Sequence, residues 1–366
     1  MARLLLTTAA CLTAHATTPI LPSPSCLLNG LPCPPPAWPP TWGLAQSTYV
    51  FPSDKPAAAF PPFAPTHKWG MVQLDWAVGG EVWLKPDRNT STCEAQSIAN
   101  CAALKANGTA QRCLIYHNME LALQWLESNR AIMYDPSKAD WFLQFTDGNG
   151  RKNGTIYNSH RSEGDQYFID WRNAEAAAYF VDSILRVVTS DPAVDGTHTD
   201  DREGLPNEHP TVAALLRMSA ADMAALEFAT QAAGQYLATA LAANNKTCTD
   251  CLAGAYLANA PQPRRGSSCA PAMRRLCQPG SQAQSMFFSF DGSNATLAAF
   301  LIARSPLAYI GFQQGSGDGS WSPLFELDVG APQGLCQEGP LGVFSRPWSK
   351  GTPVLNCSTW SGQLPF

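Results

Sequence analysis

The residues best placed to do chemistry in this chain are a few aspartates that recur where apolar, strand-like runs stop. Carboxylates are otherwise sparse, since only 14% of the residues are charged. Asp75 follows the run Trp69 to Leu74, Asp170 follows Gln166 to Ile169, and Asp200 and Asp201 close the run that starts at Val194. Asp291 follows Ser285 to Phe290. Paired carboxylates are what glycosidic hydrolysis needs: one protonates the departing oxygen, and the other attacks the anomeric carbon or activates water. Carboxyl groups on adjacent strand ends lie roughly within the 5–10 Å that this chemistry uses. Asp170 and Asp200 meet that demand, with Asp170 as nucleophile or base and Asp200 as acid/base. An Asp just after a strand often caps the next helix. Asn173, however, is the better cap for the helix that follows, which leaves Asp170 unexplained by structure alone.

Around this pair stand side chains that bind sugars. Trp76 and Trp171 offer faces for stacking. Asp75, Asn118, Arg172, Asp201, Asp291 and Gln313 offer hydrogen bonds to hydroxyls, as do His117 and His198, although either His serves equally well as a satisfied interior residue. His117, Asp200 and Asp201 are the one set that suggests a divalent metal, but no H-x-x-x-H spacing accompanies them. No metal and no cofactor are therefore expected.

Such groups need a scaffold that gathers strand ends. Eight strand-like runs alternate with helices or helix-sized insertions: 69–76, 112–118, 141–145, 166–171, 194–201, 251–259, 285–291 and 307–313. Helices are predicted near 94–106, 119–130, 174–188, 218–243 and 294–304. In 174–188, Ala177, Phe180, Val181, Ile184 and Val188 fall at helical spacing. This alternation predicts an α/β fold, a (β/α)8 TIM barrel over 68–323, whose catalytic groups sit at the C-terminal strand ends. An open doubly wound sheet is the alternative. Residues 17–67 are Pro-rich and are expected to form an extended linker or strap. Residues 324–366, rich in Gly and Pro turns, are expected to form a β-rich cap.

Phe168-Ile169-Asp170-Trp171-Arg172-Asn173-Ala174-Glu175, then Tyr179-Phe180, then Val194-Asp195-Gly196-Thr197-His198-Thr199-Asp200-Asp201, resembles a pattern of glycoside-hydrolase-like (β/α)8 barrels. In that family a strand ends in Asp, an Asn-(Pro/Ala)-Glu helix start follows, and D-G-x-x-x-D lies on the next strand. Arg346-Pro347-Trp348-Ser349-Lys350-Gly351-Thr352-Pro353-Val354-Leu355-Asn356 is similar to its closing segment, and Asp328-Val329-Gly330-Ala331-Pro332 to its D-x-G-x-P turn. The resemblance implies a barrel over about 70–366, with Asp170 and Asp200 as the paired acids. Two departures concern the site: Thr197-His198-Thr199 replaces a mainly apolar run, and Ala174 stands where Pro is common.

The remaining features point to export. Arg3, the apolar Leu4 to Thr13 and Ala14-His15-Ala16 have the pattern of a signal peptide over 1–16. No apolar run reaches the roughly 20 residues a membrane span takes. Asn89, Asn107, Asn153, Asn245, Asn294 and Asn356 begin N-x-S/T sequons, expected at the surface. Of twelve cysteines, Cys11 leaves with the signal peptide and the rest are expected to be mostly disulfide-bonded. Plausible pairs are Cys26 with Cys33, two of Cys93, Cys101 and Cys113, pairs among Cys248, Cys251, Cys269 and Cys277, and Cys336 with Cys357. A zinc knuckle at Cys248-x-x-Cys251 lacks a matching second pair. The odd count leaves one thiol over, unbonded or shared between chains, and the oligomeric state open. A net charge of −5 without a basic stripe argues against nucleic acid as a partner. The expectation is a glycosidase acting on a carbohydrate, secreted or held in a vacuolar or vesicular lumen. A glycan-binding barrel without catalysis, or a wall-associated structural protein using its Pro-rich stem, is the alternative.

Overall fold

The computed structural model describes Trp38, Trp42 and residues 48–51, 68–76, 78, 93–147, 151–159, 164–201, 205, 210–249, 266–278, 286–312 and 321–366. Five strands make one wholly parallel sheet: β1 (Thr48–Phe51), β2 (Trp69–Leu74), β3 (Ala110–Asn118), β8 (Gly196–Asp200) and β9 (Thr247–Thr249), in the order β1-β2-β3-β8-β9. Two further strands, β10 (Met286–Phe290) and β11 (Ala308–Phe312), pair in parallel, and β11 lies beside β1. Parallel strands need long crossovers, which place helices on the outer face. These are α1 (Cys93–Ala106), α3 (Ala174–Thr189), α4 (Ala220–Ala243) and α6 (Asn294–Ala303).

The sheet curls. Thr249 on β9 donates to Gln73 on β2 at 3.1 Å, although β3 and β8 lie between those strands in the sheet order. Side chains alternate across each strand. On β3, Leu114, Tyr116 and Asn118 share the inner face, while Cys113 and His117 face α1. A disulfide joins Cys113 to Cys101 of α1. At the N-terminal end of the inner face, Trp38, Met71, Leu114, Leu307 and Tyr309 form a separate apolar cluster. Trp38 is anchored by its indole N–H, which donates to the Asn245 carbonyl at 3.0 Å, and by the Arg112 guanidinium 4.3 Å above its ring. Trp42 accepts a hydrogen bond on its carbonyl from the buried Arg304 at 2.8 Å.

Three expectations change. The 17–67 segment is not merely a linker: it supplies β1, Trp38 and Trp42. Residues 141–145 and 166–171 do not join the parallel sheet. They belong to an insertion between β3 and β8, built from β4 (Leu121–Leu123), α2 (Glu127–Met133), the 3-10 turn Pro136–Trp141, β5 (Gln144–Thr146), β6 (Lys152–Ile156) and β7 (Gln166–Phe168). There β4 pairs with β7, and β5 with β6, both antiparallel. β8 therefore neighbours β3 directly. The expected strand at 251–259 lies outside the described residues.

The tail forms a four-stranded antiparallel sheet, β12 (Gln337–Gly339), β13 (Val343–Ser345), β14 (Val354–Asn356) and β15 (Ser361–Gln363). Cys269 pairs with Cys357 and Cys277 with Cys336, which ties α5 (Cys269–Leu276) to this sheet. The pairing of Cys336 with Cys357, and that of Cys269 or Cys277 within the 248–277 group, are thus replaced. Cys269 opens α5 and Cys277 follows its last residue, so the two bridges hold both ends of the helix to the tail. Cys248 is also disulfide-bonded, and Cys93 is a buried thiol. Cys26 and Cys33 lie outside the described residues.

Candidate active site

The C-terminal ends of β2, β3 and β8 bring one polar cluster together. Asp75 follows β2, Tyr116 and Asn118 come from the inner face of β3, and Asp200 and Asp201 close β8. Register sets the contacts: Tyr116 pairs with His198 and Asn118 with Asp200 across the β3–β8 ladder. The buried Tyr116 hydroxyl donates to Asp200 Oδ2 at 3.2 Å. Asn118 Nδ2 donates to the Tyr116 oxygen at 3.0 Å and to Asp201 Oδ2 at 2.7 Å. Asn118 Oδ1 accepts from the backbone N–H groups of Glu120 and Leu121, which fixes the amide's orientation. Asp200 Oδ1 accepts from the Asp201 N–H at 3.0 Å. Asp201 has φ 53°, a left-handed conformation that costs a non-glycine residue of order 1 kcal/mol or more and recurs at functional sites.

Burial, then the negative charges of Asp200, Asp201 and Asp75, push the Tyr116 phenol well above its ordinary value. The Asn118 hydrogen bond offsets only part of this. Tyr116 thus stays a neutral hydroxyl among three carboxylates. Asp75 is itself buried, and its Oδ1 accepts from the Trp76 N–H at 2.8 Å. Trp76 is 36% exposed and sits 5.5 Å from the Trp125 ring. Lower down, His198 Nδ1 meets Thr249 Oγ1 at 3.2 Å.

The other expected residues are placed elsewhere. Asp170 is not on a strand beside β8: it ends the insertion's β7 and shares no hydrogen-bond or ion-pair partner with Asp200. Its side chain is 4% exposed and is held by Arg172 Nε at 2.8 Å, Arg172 Nη2 at 2.9 Å and Lys152 Nζ at 3.1 Å. Burial alone would raise its pKa, but the Arg172 and Lys152 bonds and charges outweigh burial and lower it. Arg172 also reaches Asp222, the carboxylate of the Ser219 capping box that starts α4. Arg172 is therefore a brace between elements. Trp171 is buried, donating to the Met119 carbonyl at 2.6 Å.

His117 faces outward, 2.9 Å from Thr197 Oγ1 and 3.7 Å from Glu94 of α1. It lies on the opposite side of β3 from Asn118, so His117, Asp200 and Asp201 do not converge as a metal set. Asp291 accepts from the Ser293 N–H and serves the start of α6. Gln313 lies outside the described residues. Tyr116 is the site residue that sequence reasoning missed. Period-2 alternation from Asn118 places it on the polar-ended face, but an aromatic inside an apolar run has the appearance of core.

No protein-family model and no curated protein matches the chain. Partial likenesses exist among solved structures. A GH31 dextranase of Flavobacterium johnsoniae, complexed with glucose, aligns at 12% identity and TM-score 0.44, covering 80% of this chain and 39% of that one. Ega3 of Aspergillus fumigatus, complexed with galactosamine, aligns at 12% identity and TM-score 0.36, covering 79% and 87%. A cycloalternan-degrading enzyme of Trueperella pyogenes aligns at 11% identity and TM-score 0.42, covering 80% and 46%. This chain spans under half the length of the dextranase. At these scores the likenesses assign it neither a fold nor an activity.

Proposed function

We propose that the chain is a secreted glycoside hydrolase whose reacting carboxylates are Asp75 and Asp200, at the mouth of a curled parallel sheet that closes as a (β/α)8 barrel. One observation carries the reading: the buried Tyr116 hydroxyl bonds Asp200, is bridged by Asn118 to Asp201, and feels the charge of Asp75 from the end of β2. Parallel-barrel enzymes keep their chemistry at this end of the strands. β2 and β8 flank β3, so their backbones lie about 10 Å apart. Inward side chains on a curved sheet come closer than that, into the range two-carboxylate hydrolysis uses.

In this scheme Asp75 reacts in its protonated form and gives that proton to the glycosidic oxygen as the C–O bond breaks. Asp200 either adds to the anomeric carbon or takes a proton from the water that does. Trp76 stacks on a sugar face at the rim. The original partner for Asp200 is thereby reassigned, because both oxygens of Asp170 are engaged by cations. The disulfides support residence in an oxidising compartment. Among the described residues no helix is long and apolar enough to cross a membrane.

The test is a panel of poly- and oligosaccharides assayed with purified protein and with Asp75→Asn and Asp200→Asn. Each variant is expected to lose hydrolysis by at least about 1,000-fold, the scale on which carboxylate catalysis operates, with an unchanged melting temperature. Full activity in both variants sinks the assignment. Glycan binding without turnover in the wild type would instead establish a lectin-like barrel.

A further inference from the structure

We infer that Tyr116 and Asn118 are positioning residues that orient Asp200 for reaction, through a hydrogen-bond chain whose direction is fixed by the Asn118 amide. The inference rests on Asp200 being a reacting carboxylate.

The direction follows from donor and acceptor counts. Asn118 Oδ1 is occupied by two backbone N–H donors, Glu120 at 2.8 Å and Leu121 at 2.6 Å. The amide therefore cannot flip, and Nδ2 points at Tyr116 and Asp201. A primary amide nitrogen carries two hydrogens and accepts none. One hydrogen goes to the Tyr116 oxygen and the other to Asp201 Oδ2. With its oxygen accepting from Asn118, the Tyr116 hydroxyl sends its own proton onward to Asp200 Oδ2. The Asp201 N–H holds the other oxygen. Both Asp200 oxygens accept, which fixes the plane of the carboxyl group. The same amide bonds the side chain of Asp201, which is left-handed in the turn after β8, so a single residue contacts both the Tyr116 hydroxyl and that turn.

The experiment compares Tyr116→Phe, Asn118→Asp and the double variant in the full chain. Phe keeps the ring and deletes the hydroxyl. Asp at 118 keeps the shape and the Oδ1 cap but places an acceptor where Nδ2 was, so that the Tyr116 proton is drawn away from Asp200. Each single change is expected to lower kcat about 100-fold, the cost of misaligning a reacting group, with KM little changed; melting temperature is expected to hold in Tyr116→Phe and to fall in Asn118→Asp, which sets a second carboxyl group against Asp201. Because both act on one hydrogen bond, the double variant is expected to fall no further than either single one. A second readout needs no turnover: the Asp200 carboxyl carbon resonance, in protein labelled with carbon-13 aspartate, is expected to move in Tyr116→Phe.

Unchanged kcat together with an unmoved Asp200 resonance overturns the inference and leaves the hydrolase proposal standing. Additive losses in the double variant also overturn it. Full activity in Asp200→Asn removes Asp200 from the reacting pair on which the inference rests, while the carbon-13 shift of Asp200 in otherwise wild-type protein still reports whether Tyr116 holds that carboxyl group.

Discussion

Removing the charge from Asp170 is expected to cost stability rather than chemistry. Its carboxylate is buried between Arg172 and Lys152, and breaking a buried pair leaves charge uncompensated. Both cations reach solvent, which moderates the loss to about 3 kcal/mol for Asp170→Asn, at the low end for such pairs. The pH dependence follows in sign. The ion pairs hold the Asp170 carboxyl below its ordinary 3.8, so its contribution is complete above that value and is lost as pH falls through the folded value. Urea titrations from pH 7 to 3 are expected to show wild type and Asp170→Asn converging at the acid end, while the variant keeps its activity on glycans. Loss of that activity at full stability would return Asp170 to the catalytic pair. The strand-end positions of Asp75, Asp200 and Asp201 were legible in the sequence because a carboxylate after an apolar run sits where a strand stops. The ion pairing of Asp170 was not, although the salt-bridging Arg lies only two residues on. The competing reading, an unexplained Asp after a strand, rested on a strand that pairs elsewhere.

At the scale of elements, the same misassignment has a physical origin. Short apolar runs at 141–145 and 166–171 fit the strand period, but 20 mostly polar residues with four glycines separate them. Asp147-Gly148 and Asn149-Gly150 are hairpin signals, and the chain folds there into β5 and β6 rather than a helix crossover. The helices were better specified. Asn173 caps α3 by accepting from the Glu175 and Ala176 N–H groups, and the spaced residues Phe180, Val181, Ile184 and Val188 are all buried. β1 escaped notice because Thr48-Tyr49-Val50-Phe51, a good strand former, lies inside a Pro-rich stretch whose composition suggests a linker. Its consequence is testable. Deleting residues 1–67 removes a strand and the Trp38 anchor, and is expected to yield an insoluble or unfolded chain by circular dichroism. Trp38→Ala, which empties a buried site beneath the inner cluster, is expected to cost about 3 kcal/mol in denaturant titration. A stem that were only a tether would leave both measurements unchanged.

Two disulfides tie the C-terminal tail covalently to the segment around α5. Cys269–Cys357 and Cys277–Cys336 span 88 and 59 residues and pin α5 to the antiparallel tail. α6 lies against β14 and β15 of that tail, so the tail packs on a helix of the parallel layer. Arg274 adds a bidentate pair with Glu338 at the surface, which contributes little beside the bridges. Closing a loop of this length restricts the unfolded chain by about 4 kcal/mol in the entropic account. The two loops are nested, so their contributions overlap and do not sum. Cys269→Ser with Cys357→Ser is therefore expected to lower the melting temperature by several degrees, and full reduction by more. The surface carries a matching signature. Asn107, Asn153, Asn245 and Asn294 are exposed, and Asn356 is half-buried with its Oδ1 accepting from the Ser358 and Thr359 N–H groups. A glycan on any of them meets no core packing. Expression through an oxidising secretory pathway is expected to give a soluble chain whose mass falls on enzymatic deglycosylation and whose mobility changes on reduction. Expression in a reducing cytosol is expected to give aggregated chain lacking the bridges. Equal yield and equal melting temperature from both routes would remove the main structural support for secretion, because a chain that folds as well without its disulfides has no need of the compartment that forms them.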